Sequence, residues 1–424
     1  MARDLSEEEF RLRLDALRPR MERYAQLLVC TGINVQPGQE LVVTAPVEAY
    51  EFVRMVAAAG YGAGAGHVTC IWTDDALSRL NYENVSPQWF DTVPNWMRAQ
   101  RDDLAAEGAG FLWLDGDDPD GLMGIDHSKV AAWSRAVNTQ CTRWRHGLDF
   151  GENAWCIGGV PTQKWAQKVF GDLSSREALL ALWEAVLDVA RVTDDPKSAW
   201  ETHNAMLEKN KKAMNRHRFS GLRYKASNGT DLTVRLNTQG LWDGGSAATQ
   251  DGVRFFPNIP TEEVFTTPDR LGTQGVVHSA LPLVHNGSVV RDFWLRFEDG
   301  QVKDFGAAEG AEVLESILST DKGARYLGEC ALISKNTPIR ESGLLFYNTL
   351  YDENASCHLA LGMGFPECYE GGFDMTADEL SAAGVNQSAQ HVDFMIGTDD
   401  LDIWGITAQG EEIPVFVHGQ WAWE

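Results

Sequence analysis

Near Gly221 the rhythm of the chain changes, and that change narrows the folds open to it. Upstream, short apolar runs alternate with amphipathic helical stretches. A strand is predicted over 40–44, a helix over 47–59 ended by Gly60, and a second strand over 67–72. This is a strand–helix–strand unit, the building block of a parallel sheet. The pattern recurs as a strand over 110–114, a helix over 128–137 and a strand over 154–158. A leading helix over 6–30 carries Phe10, Leu14, Leu17 and Met21 at helical spacing. Residues 164–218 read as mostly helical, with a break at Asp194-Asp195-Pro196, because the residue before proline disfavours helix.

Downstream, LRYKASNGTDLTVRL alternates apolar and polar residues around Asn228-Gly229, a strong hairpin signal. Further strands are expected over 276–279, 288–297 and 302–305, with turns at Asn286-Gly287 and Asp299-Gly300, and a helix over 309–319. The expected architecture is therefore an α/β N-terminal domain over 1–220 and a β-rich, α+β C-terminal domain over 221–424. A chain of 424 residues is long enough for two such cores.

Composition excludes several classes of function. A formal net charge of −25 argues against nucleic acid, whose phosphates call for basic patches. No apolar run reaches the roughly 18–20 residues of a membrane span, and the charged N-terminus lacks the apolar core of a signal peptide. Seven cysteines are scattered without a CxxC pair, which suggests reduced thiols and a cytoplasmic location.

Chemistry concentrates in the second half. In FYNTLYDENASCHLAL, residues 346–361, an Asp, a Glu and a His sit in an apolar frame. Burying such groups is costly unless something pairs with them, and a divalent cation is the simplest partner. Three other segments resemble it in content: Glu262-Glu263 after Pro260-Thr261, Glu329 after a helix expected from Asp321, and His391-Val392-Asp393. Period-two alternation puts His391 and Asp393 on one strand face. Glu353 and His358 are expected to converge across a helix starting near Asn354. Adjacent strand residues face oppositely, so one of Glu262 and Glu263 can bind metal, and a local twist is needed for the second to reach the same cavity. Glu263 (or Glu262), Glu329, Glu353, His358, His391 and Asp393 thus offer four carboxylates and two imidazoles, a donor set suited to two divalent ions. Asp352 is expected to support this set from behind. Cys357, next to His358, is not read as a nucleophile, because sequence neighbours seldom hold nucleophile–base geometry. Asp115, Asp117 and Asp118 read as turn residues, since their spacing does not match a calcium loop.

At these residues the chain resembles the dinuclear metallo-aminopeptidases typified by aminopeptidase T, aminopeptidase S and PepS. The resemblance is carried by NIPTEEVFTTPDR, GARYLGECALI, GLLFYNTLYDENASCHLALG and GVNQSAQHVDFMIGTDDLDIWGI, and in the first half by YAQLLVCTGINVQPGQELVVTAPVEA, IGGVPTQKWAQKVF and DDPKSAWETHN. It implies removal of N-terminal residues from peptides through a water activated by two divalent ions, zinc, cobalt or manganese. It also implies a homodimer, the six ligands named above, and Glu262 as general base. In one place the chain departs from the pattern: relatives often carry Tyr where Leu361-Gly-Met-Gly-Phe365-Pro366 has Phe365. Tyr347, Tyr351 and Tyr369 are candidates to replace its hydroxyl. Two other readings remain open from sequence. One is a ring-cleaving dioxygenase of a related branch, using one ferrous ion at His358, His391 and Asp393. The other is a non-catalytic, metal-stabilised binding protein.

Overall fold

The computed structural model describes residues 4–285 and 288–423. The chain forms two compact units, Met1–His203 with Ser246–Pro260, and Asn204–Gly245 with Thr261–Glu424. Residue 220 lies inside the second unit, and the excursion 246–260 belongs to the first.

The first unit is built on four parallel strands: β1 (Glu40–Pro46), β2 (His67–Thr73), β3 (Gly110–Asp115) and β4 (Trp155–Gly159). They lie in the order β2-β1-β3-β4, and the short strand Asn258–Ile259 extends the sheet beside β4. The helix Glu7–Leu27 opens with a capping box between Ser6 and Glu9, which satisfies amide groups that the first turn leaves unpaired. Its Tyr24 stacks on Phe52 of the helix Tyr50–Ala63, and Phe52 meets Trp183 edge-on. The helix expected to stop at Gly60 runs on to Ala63 and is capped by Gly64 in the left-handed region. Gly60 is instead a contact point: a Cβ there would come 3.0 Å from the Leu41 side chain on β1. The predicted break at Pro196 is found, with Pro196 as the first residue of the helix Pro196–His217, where its missing N–H costs nothing.

Among its described residues the second unit contains two large antiparallel sheets and a short pair, Leu283–His285 with Ser288–Val290. The strands of the large sheets are β5 (Gly221–Lys225), β6 (Asp231–Leu236), β7 (Val264–Thr266), β8 (Pro268–His278), β9 (Trp294–Glu298), β10 (Gln301–Gly306), β11 (Leu327–Leu332), β12 (His358–Gly362), β13 (His391–Met395), β14 (Asp402–Ile406), β15 (Glu412–Val417) and β16 (Gln420–Trp421). Eight of them form one sheet in the order β10-β9-β8-β6-β5-β14-β15-β16, and four form another in the order β7-β11-β12-β13. The Asn228-Gly229 hairpin joins β5 to β6. Inward residues of the large sheet (Leu222, Tyr224, Leu232, Val277, Leu295, Ile403) and of the small one (Cys330, Leu332, Leu359, Leu361, Phe394) share one apolar core. Such face-to-face packing buries one side of each sheet.

Two sequence expectations are corrected here. The strand expected over 288–297 is broken: Ser288–Val290 pairs with Leu283–His285, and β9 starts afresh after Asp292, whose φ is 48°. No helix begins at Asp321; its carboxylate accepts the N–H groups of Gly323 and Ala324 and closes a turn instead. Asp299-Gly300 does link β9 to β10, while the Asn286-Gly287 turn lies outside the described residues.

Candidate metal centre

The four-stranded sheet separates apolar from ionisable residues by strand alternation. Residues directly opposite each other in an antiparallel pair lie on the same face. Phe265 on β7 pairs with Ala331 on β11, and Ala331 pairs with His358 on β12. Glu329 pairs with Ala360, Ala360 with Asp393 on β13, and Gly362 with His391. Glu329, His358, His391 and Asp393 therefore share one face, and Glu263 stands just before β7 in phase with Phe265. The intervening Val264, Cys330, Leu332, Leu359, Leu361, Val392 and Phe394 face the opposite way, into the core. Ala331, Ala360 and Gly362 separate the ionisable side chains and leave room above the sheet.

One irregularity aims Glu329. The β11–β12 register shifts between Leu327 and Glu329, a bulge that re-points the next side chain. Gly328 makes this possible, because a Cβ there would meet the carbonyl oxygens of Met363 at 2.1 Å and Gly362 at 2.5 Å.

Both imidazoles are anchored through the same ring atom. His358 Nδ1 lies 2.9 Å from the main-chain oxygen of Glu353, and His391 Nδ1 lies 2.8 Å from that of Met363. Each Nδ1 donates to a carbonyl, so each Nε2 is directed at the carboxylates. His358 Nε2 is 3.5 Å from Glu263 Oε2, 3.8 Å from Glu329 Oε2 and 3.9 Å from Asp393 Oδ1. His391 Nε2 is 3.1 Å from both Glu329 Oε2 and Asp393 Oδ1. Two groups have donor atoms mutually within 4.8 Å: Glu263, Glu329 and His358, and Glu329, His391 and Asp393. Glu329 belongs to both.

Residues 17–421 match the family model described as thermophilic metalloprotease (M29). The chain belongs to this metalloprotease family. Among its relatives is aminopeptidase 2 of Geobacillus stearothermophilus, 44% identical over 405 residues, covering 95% of this chain and 98% of that protein. A solved structure of wild-type AmpT from Thermus thermophilus matches with a TM-score of 0.89 at 37% identity, over 96% of this chain and 100% of that one. A 2,5-dihydroxypyridine dioxygenase from Pseudomonas putida KT2440 shares the fold more distantly, with a TM-score of 0.51 at 11% identity over 99% of this chain and 98% of that one. That last likeness is one of fold alone. The first two cover nearly the whole chain, and the expected mixed α/β and antiparallel architecture agrees with them.

As a metalloprotease, the chain needs a site for a divalent ion, and the chemistry of this cluster fits one. Burial raises the Glu263 carboxyl well above its ordinary range, and Glu329 and Asp393 push it further the same way. Glu353 is raised by burial, then by Asp393, Glu263 and Glu329. Burial works against a charged His391, but Asp393 and Glu329 outweigh it and raise its pKa well above the ordinary value. Burial likewise opposes an ionised Asp393, yet the neighbouring His391 keeps it below the usual carboxylate range. Among the described residues, the ion pairs of Glu263, Glu329 and Asp393 are all with these two imidazoles. Crowded, buried carboxylates with oriented Nε2 atoms are what a divalent cation relieves. His391 keeps 23% of its side-chain surface exposed, against 1% for His358, so the cluster is approached from the His391 side.

The remaining candidates are placed differently. Glu353 lies within electrostatic reach of the cluster but in neither tight group. The expected helix bringing it to His358 is absent: Glu353–Ala355 is a single 3-10 turn, and His358 opens β12. Convergence comes from the Glu353 carbonyl, which holds the ring. Glu262 is buried, and its main-chain N–H donates to Asn354 Oδ1 at 2.7 Å. Asp352 accepts the N–H groups of Phe346 and Asn348 and braces the preceding loop. Phe365 rests its ring 4.8 Å from that of His391 and 5.5 Å from that of Phe265. Cys357 is buried, with its Sγ engaged by the N–H and C=O of Ile333. From the sequence, Asn354 reads only as a helix start and Gly328 carries no site signal. The close Asn354–Glu353 spacing was visible, but nothing local points from Asn354 to Glu262.

Proposed function

We propose that this metalloprotease is an aminopeptidase that holds two divalent cations, zinc, cobalt or manganese, and removes N-terminal residues from peptides. The observation that carries the two-ion reading is the sharing of Glu329 between two donor groups. Charge supports it as well. Glu263, Glu329, Glu353 and Asp393 carry four formal negative charges, which two dications balance while both imidazoles stay neutral.

In this reading, Glu263, Glu329 and His358 would hold one cation and Glu329, His391 and Asp393 the other, with Glu353 as a sixth candidate ligand. When bound, the ions supply Lewis-acid polarisation of the scissile carbonyl and lower the pKa of a water molecule. Glu262 takes the proton from that water and delivers it to the leaving amine, the general-base and general-acid role. Main-chain carbonyls at Glu353 and Met363 keep both imidazoles turned correctly throughout. The apolar opposite face of the sheet keeps water out from below. Phe365 supplies no hydroxyl beside His391, so Tyr347, Tyr351 or Tyr369 is the proposed donor to the oxyanion. We further propose a homodimer working in a reducing compartment such as the cytoplasm, consistent with all seven cysteines being free. No helix among the described residues is long and apolar enough to cross a membrane.

The test is hydrolysis of aminoacyl p-nitroanilides and short peptides after loading with cobalt, zinc or manganese. Metal content and mass in solution would be measured alongside. Stepwise release of N-terminal residues, abolished by chelation, supports the reading. Protein that holds its ions yet cleaves nothing, with Phe365→Tyr equally inactive, overturns it.

A further inference from the structure

Asn354 is fully buried, and its amide is used at both ends. Its Oδ1 accepts the Glu262 N–H at 2.7 Å. Its Nδ2 donates to the Leu350 carbonyl at 2.9 Å and to Glu353 Oε1 at 3.4 Å. Its own carbonyl accepts from Thr337 Oγ1 at 3.4 Å. The first of these bonds joins residues 92 apart in sequence. One side chain thus ties the Glu262-Glu263 segment to the turn that carries Glu353 and leads into His358.

The chemistry requires an amide. Only a side chain with a donor and an acceptor on one short stem can satisfy the Glu262 N–H on one side and the Leu350 and Glu353 oxygens on the other. Turned over, the amide would set its NH₂ against the Glu262 N–H. Aspartate would keep the acceptor, lose the donor and place a negative charge beside Glu353. Alanine would remove the acceptor that the Glu262 N–H uses in a buried setting.

We propose that Asn354 is a positioning residue of the metalloprotease reaction. It sets the Glu262-Glu263 segment and Glu353 at a fixed separation, and with them the spacing in which divalent cations are held. This rests on the site reading given above, and it adds a residue that touches neither cation nor substrate. Groups that orient a metal ligand from behind typically change metal affinity or activity by about 10- to 100-fold when altered.

The test uses the full chain and the variants Asn354→Asp and Asn354→Ala. Each is stripped with chelator and titrated with manganese and with zinc by calorimetry, then assayed on leucine p-nitroanilide. Circular dichroism and thermal melting run in parallel. Expected is native circular dichroism, metal affinity weaker by about 10- to 100-fold, and kcat lowered by a similar factor with KM within about twofold of the parent. A merely structural role predicts a lower melting point with metal affinity and kcat unchanged in the folded variants, and that result overturns the proposal. Should the alanine variant not fold, the isosteric aspartate variant carries the comparison. If the metal-loaded parent hydrolyses nothing, the aminopeptidase reading fails, while the affinity comparison still decides the role of Asn354.

Discussion

The ring Nδ1 of His358 lies 2.9 Å from the main-chain oxygen of Glu353. The backbone of one candidate ligand therefore fixes the tautomer of another. With Nδ1 donating, Nε2 presents its lone pair to whatever stands between Glu263 and Glu329. Replacing this ring removes a donor atom and leaves the carboxylates closer to bare. His358→Ala is expected to bind one ion fewer per chain and to lose at least about 100-fold in kcat, beyond the loss typical of an orienting group. Metal analysis after dialysis, paired with kinetics, checks both parts. Unchanged stoichiometry would remove His358 from the ligand set.

The raised carboxyls give a pH dependence with a definite sign. Glu263 and Glu353 have folded pKa values well above their ordinary 4.5, through burial and then through neighbouring carboxylates. Without metal, the folded site keeps protons that the unfolded chain gives up, so stability falls as pH rises from about 4.5 through the folded values. His391, also raised, acts in the same direction as pH climbs through its folded pKa. Asp393 is lowered and matters only in more acid solution, where stability falls on its protonation. A bound dication replaces those protons, so its affinity rises with pH. The melting temperature of chelator-treated protein is therefore expected to fall as pH rises above about 5. The gain on adding manganese should widen over the same range. A gain independent of pH would place the ion elsewhere.

Some of this arrangement could be read from the chain and some could not, for identifiable reasons. His391-Val392-Asp393 declares its face because strand alternation is local: two residues of one kind flank one of the other. The hairpin at Asn228-Gly229 and the start of the helix at Pro196 are also local signals. Glu329 is different. Its direction depends on a bulge, and the bulge depends on the carbonyls of Gly362 and Met363 passing close to Gly328. A helix starting near Asn354 would carry His358, but the 3-10 turn ends at Ala355 and β12 begins, drawn into pairing with β11 and β13. Gly60 looked like a helix end because glycine often is one. Here it is a point of close approach to Leu41, a tertiary contact with no signature in its neighbours. Asn354 is the extreme case, its partner Glu262 being 92 residues away.

The bulge makes its own prediction. A Cβ at position 328 would meet two backbone oxygens inside contact distance, and backbone cannot swing aside as a flexible side chain can. Gly328→Ala should therefore force β11 away from the segment after β12 and carry Glu329 with it. Overpacking of this kind costs about 1–3 kcal/mol. The expected result is a lower melting temperature in both the presence and the absence of manganese, together with weaker manganese binding. A variant that melts lower but binds manganese as tightly as the parent would show that Glu329 keeps its place despite the bulge.

Cys357 tests whether thiol chemistry has any part in the reaction. The residue adjoins His358, yet it points into the core on the face opposite the ionisable cluster. Burial pushes its thiol up to about 12, although hydrogen bonding with Ile333 works the other way. A thiol held so high is almost entirely protonated at neutral pH and is a poor nucleophile. Its Sγ is also 3.3 Å from both the N–H and the C=O of Ile333, on the strand side away from any substrate. Cys357→Ala is therefore expected to keep kcat within about twofold of the parent while losing about 1–3 kcal/mol of stability, because the Ile333 backbone groups lose a buried partner. Iodoacetamide should leave the native, metal-loaded protein active and should react at this position only after denaturation, as peptide mass mapping would show. Rapid inactivation of native protein with label on Cys357 would mean that the thiol reaches solvent and has a pKa far lower than its burial dictates.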